Sequence, residues 1–134
     1  MQPHTVDIRV RYAETDQMGV VYNAEFFVYF EVARTEFLRA QGIRYRDLEK
    51  EGIYLVVVET QCSYKGRALY DDMLRVQTVV ERVRPTRIDF AHRVTRAGED
   101  DLLAEGRVVL ACLTSEGRPR RLPEQIRGIL HEAE

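Results

Sequence analysis

The stretch Tyr12-Ala13-Glu14-Thr15-Asp16-Gln17-Met18-Gly19-Val20-Val21-Tyr22-Asn23 runs directly into a segment of helical periodicity. A helix starts with backbone N–H groups that lack intrahelical partners and with the positive end of its dipole. A carbonyl oxygen gaining negative charge is stabilised there. Asp16, seven residues before Asn23, supplies a carboxylate that can act as base or nucleophile. Gly19 between them lets the loop turn tightly and lets a ligand approach the backbone. This spacing allows a carboxylate and an oxyanion site to face one substrate carbonyl. The competing reading, which spacing alone favours, is that Asp16 only caps its own turn.

Other reactive side chains have simpler readings. Glu31 and Arg34 are three apart on an apolar helix, where charges are expected to be buried as a pair and act as structural glue; the alternative makes Glu31 a second carboxylate of the site. His92 alternates with Phe90 and Val94 and is expected to be a hydrogen-bonded core histidine, while His4 and His131 near the ends are expected to be solvated. Cys62 and Cys112 lie in apolar-alternating stretches with no metal-ligand spacing, so free buried thiols are expected rather than a disulfide or a metal site.

The elements that must hold these groups follow from periodicity. Thr5 to Arg11 alternates Val6, Ile8 and Val10 with Asp7, Arg9 and Arg11, as a half-buried strand does. Ala24 to Gln41 lacks Gly and Pro and repeats Phe26, Phe30, Ala33, Phe37 and Ala40 at helical spacing, with Asn23 placed as N-cap and Gly42 past the end. Its first half is apolar nearly all round, so it must be covered on most sides. Tyr54 to Tyr64, Leu74 to Val83, Arg87 to Arg96 and Leu102 to Leu113 read as a meander of antiparallel strands, separated by turn signals such as Arg84-Pro85 and Ala97-Gly98. In the first of these, Val56, Val58, Thr60, Cys62 and Tyr64 are expected to share a face. Residues 1–134 thus form one α+β domain, a five-stranded antiparallel sheet wrapped around one long central helix, which is the hot-dog fold. Its exposed sheet edges predict at least a homodimer.

Composition narrows the function classes. Twenty basic and 22 acidic residues give a net charge of −2, which does not favour nucleic acid as a partner. The longest apolar runs, Ile53 to Val58 and Val108 to Leu113, are far shorter than the roughly 18 residues of a membrane span. With no basic and apolar leader at the N-terminus, a cytoplasmic location is expected.

The run Val10 to Asn23, continued by Phe30-Glu31-Val32-Ala33-Arg34-Thr35-Glu36-Phe37-Leu38-Arg39, resembles the hot-dog acyl-CoA thioesterases of the 4-hydroxybenzoyl-CoA thioesterase class, and among them the YbgC-like branch. The resemblance extends through Tyr64, Asp71-Asp72 and Arg118-Pro119-Arg120-Arg121-Leu122-Pro123, nearly the whole chain. It implies hydrolysis of acyl-CoA to free acid and CoA, with Asp16 as general base or nucleophile, Gly19 as the family glycine and the N–H of Asn23 as oxyanion donor. No metal is called for, and no organic cofactor because CoA is part of the substrate; Tyr22, Tyr64, Lys65 and Arg87 are the candidate substrate or CoA contacts, and the homodimer is expected to pair into a dimer of dimers. Lys65, Arg67, Arg82, Arg84, Arg87 and Arg118 at strand ends or turns are the candidate rim for the CoA phosphates. The chain departs from the branch in carrying Asn23 where many relatives carry His, and Gly66-Arg67 where relatives carry Pro. The alternatives are a binding or scaffold module for acyl-CoA or acyl-carrier protein, and a hot-dog dehydratase or hydratase, whose chemistry needs a His that is missing near the helix N-terminus. The acyl chain stays open.

Overall fold

The computed structural model describes residues 3–133. Five strands, β1 (His4–Arg9), β2 (Tyr54–Tyr64), β3 (Met73–Val83), β4 (Arg87–Arg96) and β5 (Leu102–Leu113), form one antiparallel sheet in the order β1-β3-β4-β5-β2. Only β3, β4 and β5 form a meander. β2 crosses to the far edge beside β5 instead of pairing with β3, which corrects the expected simple succession. The long segment between β2 and β3, residues 65–72, makes this crossing possible.

Helix α1 (Glu25–Ala40) lies across the sheet and buries Phe26, Tyr29, Phe30, Ala33, Phe37 and Leu38. It is shorter than the expected Ala24 to Gln41. Asn23 is not its N-cap: Ala24 occupies that position in helical geometry, without a side-chain cap, because the chain enters through a turn closed by Glu25 N–H on Tyr22 C=O. The helix stops where glycine permits. Gly42 has φ +84°, its N–H bonds Arg39 C=O at 2.9 Å, and Ile43 N–H bonds Leu38 C=O at 2.8 Å, the paired bonds of a Schellman motif. Two further helices escape the periodicity reading, α2 (Tyr45–Lys50) and α3 (Glu124–Ala133), the latter burying Ile126 and Leu130.

The helix-facing side of the sheet carries Val76, Phe90, Val94, Ala104, Val108 and Leu110. A bulge between Val57 and Glu59 switches the parity of β2. Cross-strand partners share a face, so Leu55 opposite Cys112 and Val57 opposite Leu110 face the helix before the bulge, and Thr60, Cys62 and Tyr64 after it. Val56 and Val58 therefore do not share a face with Thr60. Covering of α1 is also incomplete within one chain, since Val28 and Val32 remain 46% and 39% exposed.

Two charge expectations are corrected. Arg34 is buried, but Glu31 is exposed and forms no ion pair with it among the described residues; the guanidinium sits against Tyr45 instead. His4 is partly buried with its ring edge-on to Phe37 at 5.8 Å, whereas the side chain of His131 lies outside the described residues. His92 is buried as expected. Its Nδ1 lies 3.0 Å from the Thr78 hydroxyl, and its ring stacks on Phe30 at 4.8 Å. Cys62 and Cys112 are free thiols, half-buried and buried.

Candidate active site

The Asp16 loop is a narrow hairpin set against α1. Asp16 N–H bonds Val20 C=O at 2.8 Å, Tyr22 N–H bonds Glu14 C=O at 2.9 Å, and Thr15 pairs with Val21 between them. Gly19 closes the tip at φ +76°, a conformation that favours glycine. Asp16 sits opposite Val20, three residues before Asn23. The ladder ends at Tyr22, and Asn23 follows it into the turn that opens α1, so one hairpin carries both residues.

Asp16 is exposed, and its Oδ1 accepts the N–H groups of Met18 at 2.8 Å and Val20 at 3.2 Å. Oδ2 accepts no bond among the described residues. Asp16 therefore caps its turn and still presents one free carboxylate oxygen. At the helix end, Glu25 N–H is taken by Tyr22 C=O, but neither Asn23 N–H nor Ala24 N–H donates to a protein acceptor among the described residues. The Tyr64 hydroxyl donates to Asn23 C=O at 2.8 Å, and the Tyr64 ring meets Phe26 edge-on at 5.5 Å. Burial, with Cys62 nearby, raises the Tyr64 phenol above its ordinary range, so the hydroxyl stays protonated and donates.

The residues that fix this geometry were mostly invisible in the sequence. Glu14 is buried, and its carboxylate accepts Arg11 N–H, Arg11 Nε and the Tyr29 hydroxyl, each at 2.9 Å. Burial alone would raise its pKa, but the Arg11 and Tyr29 bonds together hold it below the ordinary carboxylate value. Burial and the Glu14 carboxylate push the Tyr29 phenol up in turn. The hairpin that carries Asp16 is thus tied to the second turn of α1. Its other side leans on residues 68–70: Val21 N–H bonds Ala68 C=O, and Tyr70 N–H bonds Gly19 C=O. That segment is held by Asp72, whose Oδ2 accepts Leu69 N–H at 2.8 Å and Arg96 Nε at 2.9 Å. The only sequence signals were the three-residue spacing of Arg11 and Glu14 and the Asp71-Asp72 pair.

Tyr22 and Tyr64 flank the helix end, 56% and 44% exposed, and Lys65 and Arg67 follow Tyr64 at the same end of β2. Arg87 does not join them within one chain. It pairs with Ala111 in the row of Val56, whereas Tyr64 pairs with Ala104, and from Val56 to Tyr64 the strand rises roughly 26 Å. Arg82, Arg84 and Arg118 lie toward the Arg87 end, where Arg84 is bound to Asp89 at 2.5 Å. The expected basic rim is split between two ends of the sheet. Among the described residues no three His, Cys, Asp or Glu side chains cluster as metal ligands.

The model of the thioesterase-like superfamily matches residues 10–130. The chain is 38% identical over 120 residues to the acyl-CoA thioester hydrolase YbgC of Escherichia coli O6:H1, covering 89% of each chain. It is 33% identical over 126 residues to the acyl-CoA thioesterase YbgC of Haemophilus influenzae, covering 92% of this chain and 91% of the relative. Among solved structures, a hypothetical protein from Thermus thermophilus superposes with a TM-score of 0.91 at 36% identity, covering 98% of this chain and 99% of the other. A DHNA-CoA thioesterase from Staphylococcus aureus superposes at 0.88 with 33% identity, covering 99% and 89%. With the hot-dog sheet, the family model spanning the Asp16 loop to α3, and these relatives along most of its length, the chain belongs to the thioesterase-like superfamily.

Proposed function

We propose that this protein hydrolyses acyl-CoA thioesters to the free acid and CoA, with Asp16 as the working carboxylate and the N–H of Asn23 as oxyanion donor. The observation that carries this reading is that one hairpin bears both an Asp16 carboxylate whose Oδ2 accepts no bond and an Asn23 N–H at the start of α1 that donates to no protein acceptor among the described residues. The substrate carbonyl lies between them. Asp16 either activates a water or attacks the carbonyl itself, and the carbonyl oxygen gains charge against the Asn23 N–H. The CoA thiolate leaves; the water route gives the acid directly, and the nucleophile route leaves an acyl anhydride on Asp16 that water hydrolyses to the acid and the free carboxylate. Tyr22, Tyr64 and Lys65 border this place; Arg87 stands apart from it in one chain.

The unpaired edge of β2, with Val57 and Val58 exposed and Val28 and Val32 of α1 uncovered, supports a homodimer, and a pairing of such dimers completes the proposed assembly. A monomeric mass by light scattering would rule that assembly out.

The test is thiol release from short, long and aromatic acyl-CoAs by wild type and Asp16→Asn in parallel. Collapse of turnover in the variant supports the reading and ranks the acyl groups. An Asp16→Asn protein as fast as wild type refutes the role of Asp16, and tight acyl-CoA binding without turnover by wild type replaces hydrolysis with a binding module.

A further inference from the structure

The carbonyl oxygen of Asn23 accepts two hydrogen bonds of unequal quality. The Tyr64 hydroxyl donates to it at 2.8 Å, while the donor from the first helical turn, Phe26 N–H, reaches it only at 3.4 Å. The Asn23–Ala24 peptide is thus fixed chiefly from outside the helix, by the last residue of β2. A trans peptide is planar, so the direction of the Asn23 C=O sets the direction of the Ala24 N–H on its opposite side. That N–H and its neighbour on Asn23 are the two adjacent donors without a protein partner among the described residues, between Tyr22 and Glu25, whose N–H groups are both taken.

We propose that Tyr64 is a positioning residue for thioester hydrolysis: by holding the Asn23 carbonyl, it aims the Ala24 N–H as a second oxyanion donor beside the Asn23 N–H. The inference rests on the reading of this helix end as the oxyanion site. Its energetic logic is selective for the transition state. A donor on the carbonyl side polarises the peptide and strengthens its N–H, because chained hydrogen bonds reinforce one another. A neutral thioester carbonyl gains little from that, whereas a developing oxyanion gains much, so the effect belongs in kcat and not in KM. The edge-on contact with Phe26 at 5.5 Å keeps the ring in place although the residue is partly exposed. The Tyr64 hydroxyl has already spent its only hydrogen on the protein, so it is poorly suited to donate to substrate.

Tyr64→Phe removes the hydroxyl and keeps the ring. On an acyl-CoA that wild type turns over, kcat is expected to fall about five- to tenfold, the range that about 1 kcal/mol of lost hydrogen bonding supplies, with KM within about twofold. A second variant keeps the idea falsifiable if Tyr64→Phe folds poorly. Replacing Ala24 by lactic acid, so that an ester stands in place of the Asn23–Ala24 amide, deletes the N–H while keeping the methyl group and the trans linkage, and is expected to lower kcat on the order of 10². If Tyr64 acts through that N–H, adding Tyr64→Phe to this ester variant changes kcat no further. Effects that multiply, a rise in KM at constant kcat, or unchanged kcat beside a lowered Tm each overturn the proposal. An Asp16→Asn protein of full activity would sink the Asp16 reading separately, since this cycle is read on turnover alone.

Discussion

Gly106 is where a single methyl group tests how the sheet holds α1. A Cβ on this β5 residue would stand 2.4 Å from the Gln61 carbonyl oxygen, and 2.4 and 2.8 Å from Cε2 and Cζ of Phe30. Ordinary carbon contacts lie at about 3.5–4.0 Å, so the ring would have to retreat by roughly 1 Å. It has little room, because its other face stacks on His92 at 4.8 Å and 10°. The Gln61 carbonyl cannot yield without disturbing the β2–β5 ladder, where Cys62 pairs with Gly106. Overpacking of this kind destabilises by about 1–3 kcal/mol, and the stiffer unfolded chain returns about 0.4–1 kcal/mol of that. Because one obstacle is backbone and the other a wedged ring, we expect a net loss of about 2 kcal/mol for Gly106→Ala. At roughly 4 °C per kcal/mol for a chain of this length, Tm falls by about 8 °C. Turnover is expected to fall with it, since Phe30 belongs to the helix whose N-terminus carries the proposed site. Gly128 provides the control: it is exposed on α3, an added Cβ meets nothing within 4 Å, and Gly128→Ala is expected to raise stability by about 0.5–1 kcal/mol. Thermal melts of both variants decide the matter, and a Gly106→Ala protein melting within a degree of wild type would refute the packing argument.

His92 and Glu14 give the protein two acid-sensitive points. Burial, aided by the charge of Arg34, lowers His92 from 6.5 to about 3. The unfolded chain then takes up a proton below pH 6.5 that the folded chain refuses until about pH 3, so stability falls as pH drops through that window, by about 1.4 kcal/mol per unit and about 5 kcal/mol in all. His92→Gln should be less stable at pH 7 yet flatter between pH 6 and 4 in urea midpoints, and parallel curves would refute this. Glu14, held below its ordinary value, contributes stability that is present above 4.5 and lost as pH falls through its folded value. Glu14→Gln offers one acceptor oxygen to three donors, so a loss of about 1.5–3 kcal/mol is expected, together with reduced turnover from a loosened Asp16 hairpin; wild-type Tm and kcat would dismiss the clamp.

The parts of this molecule that were legible in advance are those governed by local rules. Period-two alternation marked β1, β4 and, up to the bulge, β2; turn signals at their ends marked β3 and β5; helical spacing marked α1, and Gly42 marked its end, because each depends on neighbours within a turn or two. Strand order was not legible, since nothing in β2 itself says that its partner is β5. The bulge at β2 was missed because one extra residue leaves no signature in a run of three valines, Val56-Val57-Val58, yet it turns every later side chain to the other face. Arg34 was expected to pair with Glu31 from spacing, but Tyr45 arrives from a helix too short to show a period. The proposed site divides in the same way: Asp16, Gly19 and Asn23 stand on one continuous segment and could be singled out, whereas Glu14, Asp72 and the Tyr64 bond depend on elements that meet only after folding.

The two readings of Asp16, turn cap and reacting carboxylate, are compatible because they use different oxygens. Oδ1 takes the Met18 and Val20 N–H groups, and those bonds hold the carboxylate in one orientation with Oδ2 outward. Substitutions can therefore separate the roles. In Asp16→Asn the amide oxygen keeps the two loop bonds and the NH2 group replaces Oδ2, so folding is retained while the base or nucleophile is lost. Asp16→Ala loses both, and the freed N–H groups at this exposed turn lower stability by about 0.5–1.5 kcal/mol in addition. Equal melting of wild type and Asp16→Asn, with Asp16→Ala a few degrees below them and both variants inactive, is the pattern that two roles on two oxygens require. A large drop in Tm for Asp16→Asn would mean that the loop itself depends on Oδ2, and its loss of turnover would then no longer speak for chemistry.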